Sequence, residues 1–305
     1  MHDVIIIGAG PAGVSAAVYA KRYNLEVLVI EKDMILGGKV LYPHWIENFI
    51  GIPEGISGVQ LSEQLAKHLT LLDVSVINGQ VASLQRENEV FKVVLASGTS
   101  YPSKTVILAH GTRERMLNIP GEIEYKGKGV SYCATCDAPF FKNKTIAVIG
   151  GGDSALAETL YLAEFASNIH LIHRRTELRG AELLSSKLLE HPKITPWLGY
   201  QATSISGNQE KLESIHMISN DQKNKKVLPV DGIFIFAGYE PDTHFISESL
   251  SLDEKGFIVT NEEMLTSLQG LYAAGDIRSK HLRQIITALS DGAIAAYSIR
   301  EQLKA

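Results

Sequence analysis

A repeat constrains this chain more than any other feature. A β-branched strand, a glycine-rich turn and a helix-period stretch occur twice, with turns opening at Gly8 and at Gly150. In the first copy the apolar run 4–7 gives way to Gly8, Gly10 and Gly13 of GAGPAG. A helical stretch over 14–22 and a second strand over 26–30 follow. The spacing assigns the glycines different roles, with a tight turn at Gly8, close approach of a pyrophosphate at Gly10, and close helix–strand packing at Gly13. The helix N-terminus then faces the anion. Glu31 ends the second strand where a ribose-binding acid belongs, roughly 20 residues on. A glycine turn alone would be a weak signal, but strand, turn, helix, strand and acid in this order point to a dinucleotide site.

The second copy starts at Thr145, with a strand over 146–149, the turn GGGDSA (150–155), a helix over 155–165 and a strand over 170–172. Its end differs from the first. Where that copy has Glu31, this one has His173, Arg174 and Arg175, with Arg179 one turn further on. An acid there hydrogen-bonds a free ribose, whereas arginines hold a 2′-phosphate bidentately. The first site therefore suits FAD or NAD and the second NADPH. A solvated basic loop would have the same composition, and it is the position at this strand end that favours the nucleotide. A third signal lies at 271–299: a strand over 271–274 delivers Gly275 and Asp276, and a helix over 283–299 follows. An acid beside a helix N-terminus can accept a ribityl hydroxyl.

The chain has 305 residues, 45% hydrophobic and 21% charged, which suits about two domains with well-buried cores. A net charge of -5 asks for neither nucleic acid nor an anionic membrane as partner. Its apolar runs are shorter than a membrane span, and HDVIIIGAG opens directly into a strand, so a cytoplasmic protein is expected. Both cysteines, Cys133 and Cys136, stand in CATCD just before the second glycine turn. One C-x-x-C supplies two of the four ligands of a structural zinc, and none of the ten histidines stands near it at finger-like spacing. Bridging such close neighbours would constrain the unfolded chain very little. Redox work or a pair of ordinary thiols remains. Two cofactors beside a dithiol imply an electron relay.

From end to end the chain resembles the low-molecular-weight thioredoxin reductases. GAGPAG, GGKV with IENFIGIPEGISG, GKGVSYCATCD, GGGDSA, HRRTELR and GLYAAGDI with Arg283-Gln284 occur in that family's order and spacing. The resemblance implies an α/β protein of two Rossmann-like, three-layer ββα domains, the NADPH domain inserted into the FAD domain. FAD would lie on 1–112 plus 243–305, meeting Gly8, Gly10, Pro11, Ala12 and Gly13, with Glu31 and Lys32 at its ribose. Gly38, Lys39, Asn48, Val81 and Gly111 would stand near the flavin, and Gly275, Asp276, Arg283 and Gln284 would close over it. The inserted domain, 113–242, would hold NADPH on Gly150, Gly152, Asp153, Ser154 and Ala155, with His173, Arg174, Arg175 and Arg179 at the 2′-phosphate and Gly238 nearby. Hinges are expected at 112–115 and 238–243, because the family's inserted domain rotates between its two electron-transfer steps.

Cys133 and Cys136 would be the redox disulfide, passing electrons to thioredoxin or a thioredoxin-like protein. Asp137 would be the proton donor or acceptor, and it could equally be a helix N-cap. A homodimer with no metal is implied as well. The sequence departs from the family's commoner pattern at Lys39, His110, Asp242 and the Ala138-Pro139 that follows Asp137. The last feature brings to mind flavoprotein relatives fed by ferredoxin, but those relatives lose the second glycine motif and the arginines that this chain keeps. Two further readings are a dithiol oxidase on the same scaffold and a flavin-based redox sensor.

Overall fold

The computed structural model describes residues 1–304. Strand β1 (His2–Ile7) sets the layers of the first unit by alternation. Val4 and Ile6 face one side, Ile5 and Ile7 the other, and none is more than 5% exposed. A run apolar on both faces is what a covered parallel strand requires. Helix α1 (Pro11–Arg22) follows, with Pro11 in its first turn, where a missing N–H is harmless. The helix thus begins inside the glycine turn, three residues before its apolar periodicity becomes legible. Strand β2 (Val27–Glu31) runs parallel to β1. Helix α2 (Gly58–Leu71) opens with a capping box between Ser57 and Gln60.

Strands β3 (Ser75–Asn78), β4 (Val81–Glu87), β5 (Val90–Leu95) and β6 (Ser100–Leu108) follow. β3 extends the sheet beyond β2, while β6 serves two layers. Its first residues pair antiparallel with β5 and its last ones parallel with β1. The β4–β5–β6 meander therefore covers one face of the parallel strands, where Leu84, Phe91 and Val93 pack on Ile5, Leu28 and Ile30. Helices α1 and α2 cover the other face, where Ala16, Leu61 and Leu65 pack on Val4, Val29 and Ile107.

The chain leaves this unit through β7 (Thr112–Glu114) and builds the second unit on the same plan. Its elements are β8 (Val130–Ser131), α3 (Ala134–Asp137), β9 (Thr145–Gly150), α4 (Asp153–Leu162), β10 (Asn168–His173), α5 (Glu182–Leu189) and β11 (Ile194–Leu198). Then come β12 (Tyr200–Gly207), β13 (Leu212–Ser219), β14 (Lys225–Pro229) and β15 (Gly232–Phe236). A parallel sheet in the order β11-β10-β9-β15-β8 carries the helices on one face, through Ile146, Val148 and Leu171. The antiparallel meander β12-β13-β14 covers the other, packing Ile205, Ile215 and Met217 on Ala147, Ile172 and Ile233. These are two ββα units from one repeated pattern.

Strand β16 (Tyr239–Pro241) leads back and pairs with β7. Strand β17 (Leu271–Ala273) then slots beside β6, and α6 (Ile285–Lys304) closes over α1. A Cβ at Gly292 of α6 would lie 2.1 Å from the Ala12 oxygen, so the two helices cross at backbone distance. One unit comprises Met1–Arg113 and the chain from Glu240 onward; the other is Glu114–Tyr239.

Candidate active site

The dithiol segment sits at the start of α3. Cys133 and Cys136 are joined as a disulfide with their Cα atoms 5.4 Å apart. Buried Ser131 holds the approach to it: its Oγ accepts the Cys133 N–H at 3.1 Å and donates to the Cys133 carbonyl at 3.2 Å. Cys133 caps the helix with sulfur, its Sγ accepting the Cys136 N–H at 3.2 Å. Cys136 is exposed and Cys133 half-buried. Asp137 follows directly and precedes a turn of 3-10 helix (Ala138–Phe141), which its side chain does not cap. A capping role therefore does not account for this acid.

In the first unit the glycines of GAGPAG meet different constraints. Gly8 has φ +104°, and a Cβ on it would strike the Ala109 oxygen at 2.6 Å. A Cβ on Gly13 would lie 1.8 Å from the Gly8 oxygen, so only glycine lets helix and turn pack. Gly10 is the opposite case: a Cβ there would meet nothing closer than the Gly37 oxygen at 3.8 Å. That space lies at the α1 N-terminus, which no side chain caps. Helix dipole, open approach and unclaimed N–H groups are what an anion such as a pyrophosphate needs. Buried Glu31 accepts the Ala9 N–H at 2.6 Å and the Asp33 N–H at 3.1 Å, which fixes its carboxylate beside the turn. Lys32 beyond it is exposed.

The other residues expected at the flavin belong to this unit and make several contacts with one another. Lys39 donates to Thr112 Oγ1 at 2.6 Å, and Asn48 Nδ2 donates to Gln284 Oε1 at 3.1 Å. Gly38 (φ +56°) comes within 3.5 Å of Gly10 Cα by its Cβ position, and Gly275 (φ +82°) packs on Ala12. Arg283 lies over the Phe257 ring at 3.9 Å and donates to the carbonyls of Asp276 and Arg278. Burial pushes the Asp276 carboxyl up, against the pull of Lys280, Lys39 and Arg283. Gly111 has φ +67° and open space around its Cβ position, and half-buried Val81 packs on the meander side of the core. The unusual His110 has Nε2 2.8 Å from the Asp242 carbonyl oxygen, which places the ring proton on Nε2. Its Nδ1 is sealed without a partner, and burial pulls its pKa down, so the ring stays neutral.

The second glycine turn repeats the design. Gly152 precedes α4 with nothing within 4 Å of its Cβ position, and again no side chain caps the helix. Gly150 packs against Ala155, while Ser154 is exposed at the turn. Asp153 accepts the Ala181 N–H at 2.6 Å, and the Arg179 N–H donates to the Gly151 carbonyl at 2.6 Å. The loop carrying Arg174, Arg175 and Arg179 is thereby tied to the turn, with all three side chains exposed. His173 behaves differently. It is buried against Gly151, with Nε2 unpartnered, and burial together with the neighbouring arginines lowers its pKa. Gly238 (φ +100°) accepts the Arg115 N–H at 2.9 Å where the chain leaves this unit.

Three supporting residues have no signature in the sequence. Thr112 receives Lys39, Ser131 brackets Cys133, and Asp291 of α6 accepts the Gly275 N–H at 3.0 Å. Asp291 also binds Arg278 and Lys280, each at 2.8 Å, in a buried cluster. A lone charge in the stretch 285–299 of the helix is the one signal that could have marked it.

Comparison with known proteins agrees with this geometry. Residues 2–292 match the family described as pyridine nucleotide-disulphide oxidoreductase. A thioredoxin reductase of Listeria innocua is 38% identical over 305 residues, covering 100% of this chain and 94% of that protein. One from Treponema pallidum is 40% identical over 297 residues, covering 97% and 95%. The crystal structure of Lactococcus lactis thioredoxin reductase superposes with a TM-score of 0.94 at 37% identity, covering 99% of this chain and 100% of that one.

Proposed function

The chain belongs to the pyridine nucleotide-disulphide oxidoreductases and among them to the thioredoxin reductases, and we propose accordingly that it carries electrons from NADPH through FAD and Cys133–Cys136 to the disulfide of thioredoxin or a thioredoxin-like protein. The observation that carries the reading is the pair of open, uncapped glycine turns at Gly10 and Gly152, one unit ending its second strand in Glu31 and the other in three exposed arginines, with the Cys133–Cys136 disulfide in that second unit. Bound FAD supplies the two-electron carrier between the nucleotide and the disulfide.

The chain's own residues do the rest. Gly8, Gly10 and Gly13 orient the flavin's pyrophosphate and Glu31 its ribose, while Asn48, Gln284, Asp276 and Arg283 form the wall around the ring. Arg174, Arg175 and Arg179 select the 2′-phosphate. Two electrons break the Cys133–Cys136 bond and leave two sulfurs that share the incoming proton. The N–H that Cys133 Sγ accepts from Cys136 favours the thiolate on Cys133. That thiolate attacks the partner's disulfide, and the second cysteine then displaces the reduced partner from the mixed disulfide. Asp137 takes and returns the proton at the sulfur. We place this activity in the cytoplasm and in a homodimer, for which exposed Tyr19, Ile294 and Tyr297 on α1 and α6 offer an apolar face. No helix among the described residues is long and apolar enough to cross a membrane.

The deciding experiment is an anaerobic titration with NADPH, then NADH, following flavin absorbance, with thioredoxin added last. Fast bleaching by NADPH, a weak response to NADH and reoxidation by thioredoxin are expected. No bleaching by either nucleotide would move the electron donor elsewhere.

A further inference from the structure

The loop that carries the arginines is anchored from an unexpected quarter. Asn220, at the turn between β13 and β14, donates from Nδ2 to the Arg174 carbonyl at 2.7 Å. Its own N–H donates to the Gly199 carbonyl at 2.8 Å, and the Gly199 N–H donates to the Arg175 carbonyl at 2.8 Å. The main-chain oxygens of two consecutive arginines are thus held by one short relay from the meander. Only the amide nitrogen can donate to a carbonyl, so the orientation of the Asn220 side chain is fixed by chemistry.

The turn itself does not need that side chain. Ser219 donates its N–H to the Asn224 carbonyl at 3.0 Å, and the Gln222 N–H donates to the Ser219 carbonyl at 2.8 Å. Asp221 accepts both the Ser219 hydroxyl and the Lys223 N–H, and Ser219 Oγ accepts the Asn224 N–H. The hairpin is closed by Ser219 and Asp221, and the Asn220 amide is directed wholly at the arginine loop. At its far end the same loop is held by Arg179 N–H on Gly151 and by Asp153 on the Ala181 N–H. None of the three guanidinium groups is engaged in an ion pair among the described residues.

We infer that Asn220 is a positioning residue for nucleotide selectivity, presetting the Arg174–Arg175 main chain so that both guanidinium groups converge on the 2′-phosphate. The inference rests on the reading of Arg174, Arg175 and Arg179 as the phosphate clamp. Arginine gives up the freedom of a long side chain when it binds bidentately, and a fixed backbone lowers that cost. The anchor acts only on groups that touch the 2′-phosphate, so NAD, which lacks it, should not register its loss.

The test measures dissociation constants of NADP+ and NAD+ by titration calorimetry for the flavin-loaded wild type, N220A, N220S and R175A. One lost hydrogen bond to the loop should weaken NADP+ about fivefold in both Asn220 variants, leaving NAD+ affinity, the melting temperature and kcat at saturating NADPH unchanged. R175A should remove most of the preference for NADP+. If R175A collapses the preference while N220A and N220S keep it, the anchoring role is wrong and the clamp stands. If R175A keeps it as well, the clamp reading fails, and the inference with it. Equal weakening of both nucleotides by the Asn220 variants would make Asn220 a general support of the fold and would also overturn the inference.

Discussion

The ammonium of Lys39 donates to Thr112 Oγ1 at 2.6 Å, holding a cation of the flavin-side loop against the first residue of the strand that leaves the unit. On the proposal that Lys39 stands beside the flavin, a fixed positive charge there stabilises the anionic reduced form and raises its potential. Lys39→Gln should therefore lower the flavin midpoint by about 30 mV, the equivalent of about 1.4 kcal/mol for a two-electron couple. Thr112→Val, which removes this acceptor, should give a smaller shift of the same sign. Spectroelectrochemical titration measures both, and an unchanged midpoint in Lys39→Gln would remove Lys39 from control of the potential.

Glu158 on α4 has Oε2 sealed without a partner, and burial pushes its carboxyl up to about 7 from an ordinary 4.5. Between those two values the folded state holds a proton that the unfolded state releases, so stability falls as pH rises through the window. The full loss is on the order of 3 kcal/mol. Urea unfolding at pH 5 and pH 8 should show this decline in the wild type and not in Glu158→Gln. Equal slopes in the two proteins would mean that Glu158 is solvated.

What the sequence disclosed and what it hid follow one rule. A Cβ on Gly13 would lie 1.8 Å from the Gly8 oxygen, so the turn tolerates no other residue and the glycine spacing is readable by itself. The alternation Val4, Ile5, Ile6, Ile7 likewise reports a strand buried on both faces without any partner being named. The C-terminal helix was legible as an element but not to its ends: it begins at Ile285, two residues after the expected 283, and runs past 299 to Lys304, beyond its clear apolar periodicity. Asn220, Thr112 and Asp291 were not legible at all. Their partners are main-chain groups or side chains brought near by the fold, such as the Arg174 carbonyl 46 residues from Asn220, and no period or motif marks such a pairing. His173 sits in a motif read as basic, yet only the packing against Gly151 reveals it as a neutral, buried ring.

Asp291 joins the third nucleotide-side segment to the core. Its two oxygens bind Arg278, Lys280 and the Gly275 N–H, and the three charged side chains are at most 14% exposed. Removing the anion leaves two buried cations facing each other, a loss of about 3–5 kcal/mol. Asp291→Asn should unfold at lower urea by that amount and should release FAD during gel filtration, because Gly275 and Asp276 lose their anchor. Lys280→Met should cost less, since Arg278 still neutralises the acid. Wild-type stability in Asp291→Asn would show that the cluster contributes nothing net.

Phe140 and Phe141 are adjacent and have opposite environments. Phe141 is buried against Phe234 and Gly232, fixing the turn after Asp137, while Phe140 is 72% exposed. This ring lies four residues beyond Cys136, on the segment a protein disulfide must approach, where an exposed aromatic offers a large rigid contact to a partner. Truncating an interface aromatic typically costs more than about 1 kcal/mol, so Phe140→Ala should raise KM for thioredoxin by about fivefold to tenfold. The melting temperature and the rate of flavin bleaching by NADPH should stay as they are, because neither requires the partner. Steady-state kinetics with varied thioredoxin separates the outcomes: an unchanged KM puts Phe140 outside the footprint, and a fall in kcat with slower bleaching makes the ring a support of the dithiol loop.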